Sequence, residues 1–150
     1  MHGKGKMVYA NGDEYIGEYE WGMICGEGCY KYKKKGHVAE GTWKEGVLHG
    51  SDCKYSYKSG AVYYGAFDHG MMVRLLLLTA VLLPSFLPLR HLSHYSLLIY
   101  TKHGMGQMNL ATGERYEGSF EFGMMCGRGR FTEVDGSVFV GEFKGAIIVV

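Results

Sequence analysis

Five side chains able to hold a metal, His2, Cys25, His49, His103 and Cys126, recur at one place of a repeating frame in this 150-residue chain. Imidazole and thiolate are the usual ligands of zinc, which draws four of them in to about 2.0–2.3 Å. The spacing denies these five that role. Successive members stand one repeat apart, which is two strands of a hairpin, and strands two apart lie roughly 10 Å from each other. The set therefore reads as a medium-sized polar side chain repeated at one turn, and no metal is expected. His91 and His94 have no companion ligands nearby in the sequence. No phosphate-cradling loop is expected either, because the glycines follow the repeat instead of opening a helix. No nucleophile stands beside a base. No catalytic residue and no cofactor is assigned, and the chain is expected not to be an enzyme.

The only dense basic cluster is Lys31, Lys33, Lys34 and Lys35, which surrounds Tyr32 and precedes Gly36-His37. These lysines are candidate contacts for anionic lipid headgroups, each near-surface cation being worth about 1 kcal/mol. They equally suit a solvated, lengthened hairpin turn, where lysines keep a strand edge from pairing. Lys54 and Lys58 take comparable places in the next copy. A formal charge of only +1 argues against nucleic acid as a partner. Four cysteines without a paired CxxC spacing point to reduced thiols in a cytoplasmic protein. Met1 already stands within the frame, so no secretory leader is expected.

The frame that carries these residues is written in glycine. With Tyr15, Tyr63 and Tyr116 at position 1, Gly17, Gly41, Gly65, Gly118 and Gly141 fall at position 3 of a 23-residue unit. Glycines also recur at positions 8, 12, 14 and 21, with Asp52 as the exception at position 14 and Gly145 one residue early for position 8. The copies Tyr15–Val38 and Ala39–Val62 run one residue long, with the extra residue placed ahead of the position-21 glycine. Positions 1, 3 and 5 alternate ring, glycine, ring: Tyr15, Gly17, Tyr19; Tyr63, Gly65, Phe67; Tyr116, Gly118, Phe120; Phe139, Gly141, Phe143. In the remaining copy Gly41 and Trp43 stand without the first ring. Residues two apart on a strand share a face, so each glycine opens a gap between rings that a ring from a neighbouring strand can cover. Asn11-Gly12, Lys35-Gly36, Ser59-Gly60, Thr112-Gly113 and Asp135-Gly136 mark turns. Each unit thus predicts one β-hairpin, stacked on its neighbours into an elongated, twisted single-layer sheet. Helix is disfavoured outside one segment, since each interior glycine costs about 1 kcal/mol relative to alanine.

The pattern Y-x-G-x-[FYW]-x-x-G-x-x-[HC]-G-x-G-x-x-x-x-x-x-G resembles the MORN repeat, the membrane occupation and recognition nexus motif, over roughly 120 residues. That resemblance implies an all-β ribbon of stacked hairpins used for protein–protein contact, self-association or attachment to anionic phospholipid. It leads us to expect a non-catalytic scaffold, cytoplasmic and located at a membrane periphery, the cytoskeleton or a cilium. Similar arrays occur in junctophilins, in radial-spoke head proteins, and beside the catalytic domains of phosphatidylinositol-phosphate kinases and a lysine methyltransferase. A targeting or regulatory region of a larger enzyme, or a ciliary or cytoskeletal component, are therefore the alternatives. Those contexts share no reaction, so the resemblance alone assigns none.

Three stretches follow: repeats over 1–72, a leucine-rich insert over 73–102, and repeats over 103–150. Val73–Lys102 holds 11 of the 13 leucines and both prolines, with no glycine and no acidic residue. Lifting it out joins Met72 to His103 and completes a 23-residue copy. Three readings compete. Leu75–Leu89 as a membrane span is short of the roughly 20 residues needed. A true insertion, with a helix over Arg74–Leu83 embedded in a membrane or partner, would add only about 3 kcal/mol of loop-closure entropy. The favoured reading is a translated intron, because valine codons begin GT, a lysine codon can end AG, and removal restores both frame and repeat. The tail Gly145–Val150 also leaves the pattern, so the array is expected to extend further.

Overall fold

The computed structural model describes residues 2–67 and 102–146. The helix expected over Arg74–Leu83, the span Leu75–Leu89 and tail residues 147–150 lie outside the described residues.

Among the described residues eleven strands form one antiparallel sheet. These are β1 Gly3–Val8, β2 Glu14–Glu20, β3 Met23–Tyr32, β4 His37–Lys44, β5 Val47–Leu48, β6 Gly50–Ser56, β7 Val62–Phe67, β8 Lys102–Asn109, β9 Arg115–Glu121, β10 Met124–Thr132 and β11 Val138–Ala146. Ten of them lie side by side in chain order from β1 to β11, with the two-residue β5 paired to β4 off that path. The sheet is the stacked-hairpin array that the alternation of rings and glycines requires.

Two kinds of turn alternate along it. At positions 18–21 the Gly12, Gly60, Gly113 and Gly136 amides donate to the carbonyls of Tyr9, Tyr57, Leu110 and Glu133. The second kind, at positions 7–8, was not among the expected turn signals. Trp21-Gly22, Glu45-Gly46 and Phe122-Gly123 all have positive φ at both residues, 50° and 83° in the first. That is the two-residue hairpin turn whose twist matches the strands, and it ordinarily selects asparagine or aspartate at the first place.

A stripe of facing glycines crosses the sheet. Gly5 stands opposite Gly17, Gly17 opposite Gly28, and Gly28 opposite Gly41. The stripe resumes as Gly65, Gly106, Gly118, Gly129 and Gly141, each opposite the next. A side chain here would have no room. A Cβ on Gly28 would sit 2.6 Å from Tyr15 Cε2, and one on Gly118 would sit 2.7 Å from Tyr116 Cζ. The ring over the position-3 glycine thus comes from its own strand, two residues back, and reaches across to the position-14 glycine of the next strand. This corrects the expectation that a neighbouring strand covers it. The tyrosine hydroxyl then donates beyond the stripe: Tyr116 Oη reaches the Ser119 and Cys126 carbonyls at 3.1 and 3.4 Å, and Tyr15 Oη those of Glu18 and Cys25 at 3.4 and 3.3 Å.

The rings interlock from copy to copy. Tyr15 meets Tyr19 edge-on at 5.3 Å and Trp43 of the following copy at 5.6 Å. Tyr63 meets Phe67 at 5.3 Å and Phe120 at 5.0 Å, while Tyr116 meets Phe120 at 5.2 Å and Phe143 at 4.9 Å. Edge-to-face pairs add about 0.5–1.5 kcal/mol each beyond their burial. This ladder is the core, and it lies on one face of the sheet. Side chains alternate across a strand, so the other face carries the ion pairs Lys6–Glu14 at 3.1 Å and Lys54–Glu40 at 3.0 Å.

The copy that begins with Ala39 revises the sequence reading. Its extra residue was expected ahead of Gly60, with Asp52 replacing a glycine at position 14. The pairing of Ala39 with Tyr55 and of Glu40 with Lys54, and the bulge between Gly50 and Cys53, put the extra residue at Ser51–Asp52 instead. Cys53 then takes the glycine's place, opposite Gly65. Alanine supplies no ring, and the buried Cys53 side chain fills the vacated space, against Gly41. Its thiol donates to the His49 carbonyl at 3.5 Å, the bond that a tyrosine hydroxyl makes to Cys25 and Cys126 elsewhere.

Lys102, grouped above with the insert, opens β8 opposite Phe67. Position 10, immediately before the metal-ligand-like set, is filled by buried Ile24, Leu48 and Met125 in the other copies. Lys102 is equally buried. Its ammonium lies 5.1, 5.2 and 5.7 Å from the ring centres of Tyr57, Tyr63 and Phe120, and donates to Met108 Sδ at 3.5 Å. Burial pulls its pKa down to about 8.

Candidate functional site

The lysine cluster divides in space. Lys31 stands on β3 directly opposite Glu14, on the face bearing the ion pairs. Lys33, Lys34 and Lys35 form the exposed turn from β3 to β4. This turn is one residue longer than the others, the Gly36 amide donating four residues back to the Tyr32 carbonyl at 2.7 Å. The extra residue of the copy Tyr15–Val38 is therefore where the sequence reading placed it.

A buried carboxylate holds the turn in place. Asp13 Oδ1 accepts from the Lys33 amide at 2.8 Å, and its Oδ2 accepts from Tyr30 Oη at 3.2 Å and from Asn11 Nδ2 at 2.8 Å. The Asp13 amide in turn donates to Asn11 Oδ1 at 3.0 Å, which fixes the neighbouring turn. Bonds of this kind to an ionised group are about twice as strong as neutral ones. Asp13 was not picked out from the sequence; an acid following Asn-Gly, where the side chain can bridge adjacent turns, was the available signal.

Around this strut the cations collect. The Lys33 side chain runs beside Gly12, and the Lys58 side chain beside Gly36, so Lys58 joins the row from the next copy. Lys35 Nζ lies 5.8 Å from the Tyr32 ring centre. A shallow cavity of about 320 Å³ opens between the first two turns, lined by Glu14, Lys31, Lys33 and His37 among others. Burial, and then the charge of Lys35, lower the pKa of His37, whose Nδ1 lies 3.0 Å from Tyr55 Oη. The lysine side chains supply the positive field here. The arrangement can bind a delocalised or multiply charged anion without enclosing it.

The metal-ligand-like residues stay apart. His2 packs on Trp21 and His103 on Phe122, with ring centres at 6.3 and 6.1 Å, beside the position-7 turns. Among the described residues no group of three His, Cys, Asp or Glu converges on a metal position. Burial raises the pKa of the Cys25, Cys29, Cys53 and Cys126 thiols.

A family model described as MORN repeat matches residues 1–14, 15–37, 40–62 and 116–138. Alsin from Homo sapiens and Alsin from Mus musculus are each 30% identical to this chain over 147 residues, covering 95% of it. The chain spans 9% of the length of those relatives.

Proposed function

The chain belongs to the MORN repeat family, and on that premise we propose that it is a non-catalytic scaffold whose basic turn edge docks on anionic phospholipid while the rest of the ribbon contacts protein partners. MORN repeats are in general modules for protein and membrane interaction. The observation that carries the finer reading is the Asp13 strut. A buried acid orders the turn that is lengthened among the described residues, and that turn displays Lys33, Lys34 and Lys35 beside Lys58. The corresponding turns present Asn11, Thr112 and Asp135, without such a run.

Vesicle flotation tests it, with neutral vesicles, vesicles containing phosphatidylserine, and vesicles containing phosphoinositide. The unchanged chain floats with anionic vesicles only, and the triple variant Lys33→Gln, Lys34→Gln, Lys35→Gln loses most of that binding. Equal flotation of the parent chain and the variant would remove the lipid reading and leave a protein-only scaffold.

The 9% coverage of the Alsin relatives favours a second reading, a targeting or regulatory repeat region within a larger protein. The full transcript decides it.

A further inference from the structure

We propose that Asn11 is a self-modification site: the Gly12 backbone nitrogen attacks its side-chain amide, a carboxylate replaces that amide, and this one-way step unfastens the Asp13 strut. The inference goes beyond the scaffold reading and does not depend on lipid binding.

The chain has two asparagines, Asn11 before Gly12 and Asn109 before Leu110. Glycine has no side chain to obstruct ring closure between its nitrogen and the preceding side-chain amide, whereas leucine does. The Gly12 nitrogen bonds to Asn11 Cγ and gives up its proton, and the bond from Cγ to Nδ2 breaks with release of ammonia. Solvent water then opens the five-membered imide at one of its two carbonyls. One opening leaves aspartate, and the other leaves isoaspartate, with one more methylene in the backbone. The sum is amide plus water to acid plus ammonia, with nothing oxidised or reduced.

The fold controls when this happens. The Gly12 amide is committed to the Tyr9 carbonyl at 2.9 Å, so attack requires that bond to open. The Asn11 side chain is tied twice to one residue: Oδ1 accepts from the Asp13 amide at 3.0 Å, and Nδ2 donates to Asp13 Oδ2 at 2.8 Å. Asn11 is exposed, so water reaches it, and ring closure waits only on local opening of the turn.

The product does not fit the place that the amide left. Asp13 Oδ2 loses a donor and meets a second carboxylate. The other described turns show what this place accepts. Asp135-Gly136-Ser137 has its acid first and a hydroxyl third, with the Ser137 amide donating to Asp135 Oδ1 at 2.8 Å. Thr112-Gly113-Glu114 has the hydroxyl first and the acid third. No described turn of this kind carries an acid at both places. Because Asp13 also holds the Lys33 amide and the Tyr30 hydroxyl, repulsion at its Oδ2 loosens the turn from β3 to β4 as well.

Incubating the full chain in neutral buffer, with intact mass and peptide mapping as the readout, tests this. Asn11 should convert and Asn109 should not. Conversion should be about tenfold faster in Asp13→Ala, which removes the tether, and faster again in urea. Asn11→Asp should lower the urea midpoint of the parent chain. In an Asp13→Ser background, which copies the pattern of Asp135 and Ser137, the same change should leave the midpoint where it was. An Asn11 that converts no faster than Asn109, a rate unmoved by Asp13→Ala or by urea, an Asn11→Asp midpoint equal to the parent's, or an equal loss in both backgrounds would each overturn the proposal.

Discussion

Lys102 occupies in its copy the buried place that Met125 occupies in the next, so a cation stands where the repeat calls for an apolar side chain. Replacing it with the residue type of its counterpart removes the desolvation of a charge and keeps the volume. Lys102→Met is expected to stabilise the sheet by about 1–3 kcal/mol. Urea unfolding should show a higher midpoint with an unchanged slope. A lower midpoint would mean that the three surrounding rings more than offset the burial of the charge.

The same residue sets a pH dependence. Lysine ordinarily titrates near 10.5, and burial brings Lys102 down to about 8. Below pH 8 folded and unfolded chains both bind the proton, and the penalty is full. Between pH 8 and 10.5 the unfolded chain binds more protons, so stability rises with pH, by roughly 3 kcal/mol over the whole window. Burial raises the pKa of Tyr15, Tyr57 and Tyr63. Above pH 10 the unfolded chain gives up tyrosine protons that the folded chain keeps, and stability falls. Unfolding free energy should therefore climb just above pH 8 and turn down as the raised thiols of Cys25, Cys29, Cys53 and Cys126, and then the tyrosines, keep protons that the unfolded chain releases. In Lys102→Met the climb disappears and the descent stays.

The glycine stripe makes a coupled pair of Tyr116 and Gly129. A Cβ on Gly129 would lie 2.6 Å from Tyr116 Cε2, so Gly129→Ala displaces the ring and should cost about 2–3 kcal/mol. In a Tyr116→Ala background the same change should cost less than about 1 kcal/mol. Additive losses in the double-mutant cycle would show that ring and glycine do not share one space.

Asp13→Ala leaves every lysine in place but frees the turn that carries them. The loss of its bonds to the Lys33 amide and Tyr30 hydroxyl should cost about 1–3 kcal/mol of stability. Binding to anionic vesicles should weaken several-fold while keeping its dependence on salt. Unchanged binding would show that charge alone suffices and that the order of the turn is immaterial.

The hairpins, the glycine spacing and the paired rings were legible because each leaves a period in the residue types. What the period could not locate was a single added residue. Between Gly50 and Gly60 the count is the same whether the extra residue precedes Gly60 or follows Gly50, and the register of β6, with Cys53 opposite Gly65, decides. The Trp21-Gly22 and Phe122-Gly123 turns were silent because tryptophan and phenylalanine are not residues that positive φ selects. The lysine run was plain in the sequence. Its support was not, since Asp13 reaches Lys33 across 20 positions of chain.

The exchange of Ala39 and Cys53 for a ring and a glycine also orders how such a copy can drift. A side chain gained first collides with the ring above it, whereas a ring lost first leaves a hollow over two glycines that a later thiol can occupy. Ancestral intermediates of this family should accordingly include units bearing alanine over bare glycine, and seldom the reverse.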